Sequence, residues 1–375
     1  MRGSVHRRGK TWRAVIDLPR SAGGARRQRT ATFKTRRDAE DWVVKTAAGM
    51  GRLTAGDAQR MPLRIYLDQW EEAVRPSLKP YTGEYIHQAK ARLLAELDGG
   101  LALGQLTPVV VQAAVTRLGT THAPSTAKRD LMWLRAAMKR AVEWGYLARN
   151  PTDGVRAPRS MEPEMQCWDE AQAAAFLWAV EGRTRHAIFF RLALATGMRA
   201  GEILGLRWRD VDWERSALRV VHTLCWPTGG QPRLLDPKTA GSRRIVLLDL
   251  TTLAALRRHR TRQVEERSRR GDAWRGLDVV VGTADGGYVD LRQLHPLATA
   301  AARHAGVPRI RIHDLRHTHG TILLRQGRSV KEVAERLGHS NPAMLLRRYA
   351  HVLPDQQVEV ARTIGRVLDG TGDHR

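Results

Sequence analysis

Between Ile312 and His351 the chain gathers residues whose types suit work on a phosphate. His313 and Arg316 stand three apart, a spacing that a helix brings onto one face. His339 follows in the run Leu337-Gly338-His339-Ser340, and Tyr349 stands ten residues beyond it. Histidine relays a proton, arginine grips an anion in a planar fork, and a tyrosine oxygen is a latent nucleophile. Two upstream stretches add to the set. Thr196-Gly197-Met198-Arg199 puts Arg199 after a glycine turn at the mouth of a helix, where backbone N–H groups favour anions. Alone this is weak, because arginines near helix starts are common. Pro237-Lys238-Thr239-Ala240-Gly241-Ser242 reads as a hairpin tip, from which Lys238 can hand a proton to a leaving oxygen. A lone turn lysine is more often merely solvated.

The rest of the chain must position these groups. At 375 residues it exceeds one ordinary core, so two or three domains are expected. A hydrophobic share of 42% is enough to bury them. Two cysteines, Cys167 and Cys225, cannot form a disulfide framework and have no metal-ligand spacing. No uninterrupted apolar run approaches the roughly 18 residues of a membrane span, and no apolar segment follows the basic N-terminus. The expectation is a cytoplasmic protein with no membrane partner.

The charge is less ordinary. Lys and Arg number 63 against 38 Asp and Glu, a net +25, and only nine of the 63 are lysines. A GC-rich genome exchanges lysine for arginine, but that exchange creates no net charge. A polyanionic partner follows, and nucleic acid is favoured over membrane because no basic amphipathic anchor stands out. Residues 1–60 are the most densely basic part, with 15 basic against 5 acidic residues.

Composition and periodicity divide the chain. Residues 1–48 read as short strands, Thr11–Leu18 and Arg27–Phe33, then a helix capped by Thr35 with Asp38 three residues on. Residues 49–62 read as a linker. Residues 63–150 read as all helix, with Thr107-Pro108 opening one helix. A longer helix after Pro124 sets Leu131, Leu134, Met138, Ala141 and Val142 opposite Lys128, Arg129, Arg135, Lys139 and Arg140. An apolar stripe backed by a basic one suits a bundle clamped on a phosphate backbone, though a solvated face has the same look. Residues 151–165 read as a second linker, and 166–375 as a larger, mainly helical domain with strands between 217 and 248. The fold class is therefore α+β and multidomain.

The ordered set Arg199, Lys238, His313, Arg316, His339 and Tyr349, over about 150 residues, resembles the catalytic domain of tyrosine recombinases of the phage integrase family. The resemblance extends upstream. Residues 1–48 look like an arm-type DNA-binding domain, and 63–150 like the helical, SAM-like core-binding domain. It implies a small β-sheet plus helix first, the helical domain next, and then a catalytic domain with a small antiparallel sheet. It also implies cleavage and rejoining of duplex DNA through a 3′-phosphotyrosyl bond, with no metal or other cofactor.

The roles follow position by position. The resemblance implies Tyr349 as the nucleophile, Arg199 and Arg316 as the phosphate holders, and His313 as the group that accepts or shares a proton. It further implies that His339 bonds the phosphate, that Lys238 protonates the departing 5′ oxygen, and that Glu202 orients the site. Stabilising charge on the non-bridging oxygens is often the largest catalytic contribution, and the arginine pair is suited to it. A free tyrosine has a pKa of about 10, so a cationic site must activate it. Arg347-Arg348 before Tyr349 departs from many relatives, which carry a smaller or acidic residue there. His317, His319 and His351 are extra histidines with structural roles.

The implied partners are double-stranded attachment sites, core-type and arm-type, and three further copies of the chain in a homotetramer that exchanges C-terminal tails. The resemblance leaves room for an excisionase or directionality factor and for a host DNA-bending protein. The expected location is the cytoplasm, on the nucleoid. The expected element is a phage or another mobile element. Alternatives within the family are a chromosome-dimer or transposon recombinase. Outside it stand a nicking-closing topoisomerase and a DNA-binding regulator with an inactive site.

Overall fold

The computed structural model describes residues 3–9, 11–18, 27–49, 60–78, 80–159, 166–227, 230–236 and 243–338, together with 361, 362, 364, 365 and 368. The chain divides into two units, Met1–Glu162 and Pro163–Arg375.

The first unit opens with three antiparallel strands in sequence order: β1 Gly3–Arg8, β2 Thr11–Leu18 and β3 Arg27–Phe33. Side chains alternate across a strand. Ala14 and Ile16 are buried beneath helix α1, Arg36–Gly49, while Arg13, Thr30 and Thr32 are exposed. The α1 cap is as the Thr-x-x-Asp spacing requires: the Asp38 N–H donates to Thr35 Oγ1 at 3.1 Å. Phe33 meets Trp42 with ring centroids 6.1 Å apart, joining sheet to helix. An Arg64–Asp41 ion pair ties α1 to the next helix.

Four helices follow: α2 Leu63–Val74, α3 Pro80–Glu96, α4 Pro108–Thr121 and α5 Pro124–Glu143. Thr107 caps α4 by accepting from the Val110 N–H at 3.3 Å. Along α5, Leu131, Leu134, Met138 and Ala141 are buried, and Val142 is only half-buried. Lys128 and Lys139 are exposed, whereas Arg129 lies over the Tyr85 ring at 4.4 Å and Arg140 pairs with Glu143 at 2.8 Å. Asp130 is fully buried in this helix. Arg92 of α3 reaches it with a two-pronged fork at 2.6 and 2.8 Å. The start of the stretch read as the second linker packs on the bundle. Thr152 and Val155 are buried, and the Arg156 N–H donates to Gln112 at 2.8 Å.

The second unit begins with α6 Glu170–Val180, capped by Asp169, which accepts from the Gln172 N–H at 2.8 Å. Then come α7 Ala187–Thr196 and the short α8 Ala200–Leu204. Five strands follow: β4 Val211–Asp212, β5 Ala217–Val220, β6 Thr223–Cys225, β7 Arg233–Leu235 and β8 Arg244–Leu247. They form an antiparallel sheet β4-β5-β8 and a separate pair β6-β7. Helices α9 Leu250–Arg270, α10 Leu291–His304, α11 Ile312–Arg325 and α12 Val330–Leu337 follow. The core is aromatic at one end: Trp168, Phe176, Phe190 and Phe189 follow one another at ring separations of 4.6, 5.5 and 5.3 Å. The α+β layout read from the sequence is the observed one. Among the described residues no helix is long and apolar enough to cross a membrane.

Candidate active site

Helix α11 carries two of the expected residues and is buried from Asp314 through Thr321. Its first turn is fixed by Asp314, which accepts the Arg311 N–H at 3.0 Å and the Arg311 guanidinium at 2.9 and 3.0 Å. Further along, the Trp168 N–H donates to Thr318 Oγ1 at 3.2 Å. A helix held at both points presents its side chains in fixed directions. Arg316 points inward, with its side chain donating to the Gly197 carbonyl and to the Leu337 carbonyl, both at 2.7 Å. His313 is exposed one turn earlier, edge-on to His317 at a centroid distance of 4.8 Å.

Arg199 caps α8, where sequence reading put it. Its N–H donates to Glu202 Oε2 at 2.9 Å and its Nη1 to Oε1 at 2.9 Å, so Glu202 holds both ends of the residue. Its Nη2 also approaches the Gly338 carbonyl at 3.5 Å. The preceding turn depends on Gly197, whose φ is +63°. A Cβ there would lie 2.5 Å from Leu337 and 2.6 Å from the His319 ring. Arg199 and Arg316 therefore converge on the end of α12, with Glu202 behind Arg199. Lys238, His339 and Tyr349 lie outside the described residues, as does His351.

Two arginines that sequence reading had not singled out belong to this cluster. Arg244, on β8, forks onto Glu202 at 2.9 and 3.3 Å and donates through Nε to the Arg336 carbonyl at 3.0 Å. Arg336 donates to the Ala195 carbonyl at 2.9 Å and to the Leu247 carbonyl at 3.2 Å, tying α12 to α7 and β8. Arg244 gave no local signal, because its partners lie 42 and 92 residues away in the chain.

Burial alone would raise the Glu202 carboxyl. The hydrogen bond and charge of Arg244, with the backbone and charge of Arg199, outweigh it and hold the carboxyl below the usual range. Glu202 is thus an anion clasped by two cations. His319 is the opposite case. Burial, with Arg336 and Arg316 nearby, pushes its pKa down to about 4. Its Nδ1 faces the Leu194 carbonyl at 2.7 Å and its Nε2 faces Arg336 Nε at 3.1 Å. A neutral ring with the proton on Nδ1 satisfies both contacts, which is a packing role. Cys167 and Cys225 are free. Among the described residues no group of three or more His, Cys, Asp and Glu converges as a metal site.

Such a cluster offers fixed positive charge facing the segment that continues into His339, with an exposed imidazole on the same helix as the buried guanidinium. The phage integrase family matches residues 167–356. A tyrosine recombinase XerC-like protein of Caldanaerobacter subterraneus subsp. tengcongensis is 29% identical, over 94% of this chain and 95% of that one. The integrase of Mycobacterium phage L5 is 25% identical, over 86% of this chain and 87% of its own length. Among solved structures, the Tn1549 transposon integrase in complex with transposon right-end DNA superimposes with a TM-score of 0.70. That likeness covers 80% of this chain and 99% of that one, at 20% identity.

Proposed function

The chain belongs to the phage integrase family of tyrosine recombinases, and on that premise we propose how its own residues cut and rejoin DNA. It is a site-specific DNA recombinase of the kind that mobile elements carry. In the proposed step the Tyr349 oxygen attacks the scissile phosphorus as the bond to the 5′ oxygen breaks. Tyr349 gives up its proton towards His313, and Lys238 supplies one to the departing 5′ oxygen. Arg199 and Arg316 carry the negative charge that builds on the non-bridging oxygens, with His339 as a further donor to them. The 3′-phosphotyrosyl bond keeps the energy of the diester, so a 5′ hydroxyl from another strand reverses the reaction.

The observation that carries this reading is the convergence of Arg199 and Arg316 on one turn, through the Gly338 and Leu337 carbonyls. Two guanidiniums fixed at one spot form a phosphate seat prepared before substrate arrives.

Residues 1–48 and 63–150 are proposed to grip arm-type and core-type duplex sites, a role supported by exposed Arg13, Lys128 and Lys139. Residues 49–62 and 151–165 join them to each other and to the catalytic part, 166–375. Exchange between two duplexes requires four cut strands. One tyrosine per copy then calls for a homotetramer on DNA, acting at the nucleoid. Ile364 and Leu368, 54% and 77% exposed, are apolar positions that a neighbouring copy would cover. An excisionase or directionality factor and a host DNA-bending protein are the further partners in this scheme.

The test uses leaving-group chemistry. Lys238→Ala should cut an ordinary duplex slowly and regain its rate when sulfur replaces the scissile 5′ oxygen, because a thiolate leaves without a proton. A variant equally slow on both would contradict the acid assignment.

A further inference from the structure

Helix α12 ends on three successive carbonyls, and each faces a different arginine. The Arg336 carbonyl accepts from Arg244 at 3.0 Å and the Leu337 carbonyl from Arg316 at 2.7 Å, while the Gly338 carbonyl lies 3.5 Å from Arg199. The last carbonyls of a helix have no partner within it, and partial negative charge collects there. The helix end thus acts as a template that sets three guanidiniums side by side. Two of them are assigned to the phosphate. The third, Arg244, has a side chain only 8% exposed and turns towards Glu202.

Resting on the recombinase reading, we propose that Arg244 is a positioning residue for the phosphate site. Its one rigid guanidinium fixes the carboxylate that orients Arg199 and anchors the end of α12, three residues before His339.

Arg199 needs such support. Its side chain is 41% exposed, and a long side chain in water samples many rotamers unless it is held. Glu202 holds it, but a buried carboxylate beside one half-exposed cation is costly to keep ionised. Arg244 supplies the second cation. Four contacts then reach the Glu202 oxygens: the Arg199 N–H and Nη1, and Arg244 Nη2 and Nη1, at 2.9, 2.9, 2.9 and 3.3 Å. They match the acceptor capacity of a carboxylate. The third donor of Arg244, Nε, remains for the Arg336 carbonyl. Lysine brings charge but no planar fork, so it cannot meet both partners. The close approach also explains Gly338. Its φ is +69°, and a Cβ there would lie 3.0 Å from Arg244 Nη1.

The experiment compares Arg244→Met, Arg244→Lys, Glu202→Gln and the double variant Arg244→Met/Glu202→Gln in the full chain. The probe is a nicked suicide duplex that the wild-type protein selects from a randomised duplex pool. Melting temperature, duplex Kd and the single-turnover rate of covalent adduct formation are measured for each. Arg244→Met should form adduct about 100-fold more slowly, the scale of a small misplacement of a catalytic group. Its Kd should stay within about threefold, since the loss falls on the transition state. Arg244→Lys should fall between Arg244→Met and wild type. The double variant should be no slower than the slower single variant, because both break one chain of contacts.

Wild-type adduct rates in Arg244→Met, multiplied losses in the double variant, or a Kd that rises in step with the lost rate would each overturn the proposal. If Arg244→Met does not fold, Arg244→Lys decides, and a wild-type rate there overturns it equally. Tyr349→Phe is run alongside. An adduct in that variant would overturn the recombinase assignment itself. A blank there beside a full-rate Arg244→Met would overturn only the role of Arg244.

Discussion

Basic side chains proposed for chemistry in the second unit and for duplex binding in the first are held in opposite ways. In the second, Arg316 is 2% exposed and the Arg244 side chain 8%, each locked by carbonyl or carboxylate oxygens. In the first, Arg13 stands exposed on the open face of the three-stranded sheet, and Lys128 and Lys139 stand exposed on α5. A buried, immobilised charge acts at full strength on a transition state because nothing reorganises when the reaction occurs. An exposed charge is screened by salt and contributes mostly to ground-state attraction. The difference separates chemistry from binding, and perturbing either side should move one quantity and leave the other.

The largest expected effect lies in the buried set. Arg316→Lys retains the charge and loses the fork to Gly197 and Leu337, so single-turnover cleavage should fall by about 10³-fold while duplex Kd changes little. Equal losses in both would erase the contrast between the units. Next comes a deeply buried ion pair of the first unit, Arg92–Asp130. Asp130→Ala strands Arg92 in a closed bundle and should cost about 3 kcal/mol in denaturant unfolding. A loss below about 1 kcal/mol would mean that this pair is as replaceable as a surface bridge.

Acid should separate the units further. Burial pushes His186, His259 and His319 of the second unit down to about 4, against 6.5 for a free histidine. The unfolded chain therefore binds more protons between those values. Stability from these three groups is complete above pH about 6.5 and is lost as pH falls towards about 4. Thermal melts across that window should show the second unit losing stability as pH falls, with a shallower slope in His259→Asn. An unchanged slope in that variant would contradict the assignment. The smallest effect belongs to the exposed set. Lys128→Gln/Lys139→Gln should weaken binding about tenfold and reduce the slope of log K against log salt by roughly 1.8, with cleavage of the bound complex unchanged. A full-strength salt slope would remove α5 from the DNA contact.

What the sequence made legible was local. The caps at Thr35 and Thr107 follow from hydrogen bonds between residues three apart, and each forms as read. His313 and Arg316 were equally plain in one short run, whereas Arg199, weak alone, gained meaning only from the ordered set. Arg244 and Arg336 were not legible, since their partners are carbonyls and a carboxylate brought near only by tertiary packing. The packing of 152–156 on the helices was hidden for the same reason. A proline-rich stretch lacks hydrophobic period whether or not it is pinned by Gln112 and Arg135.

The proposed chemistry turns on Tyr349 as the nucleophile, served by Arg199 and Arg316. It is tested most directly by incubating wild type and Tyr349→Phe with the selected suicide duplex, then mapping any DNA-linked peptide by mass spectrometry. The expected result is a wild-type adduct on the peptide containing Tyr349, and no adduct from Tyr349→Phe at unchanged duplex affinity. An adduct that survives the substitution, or one that maps to another residue, would contradict it.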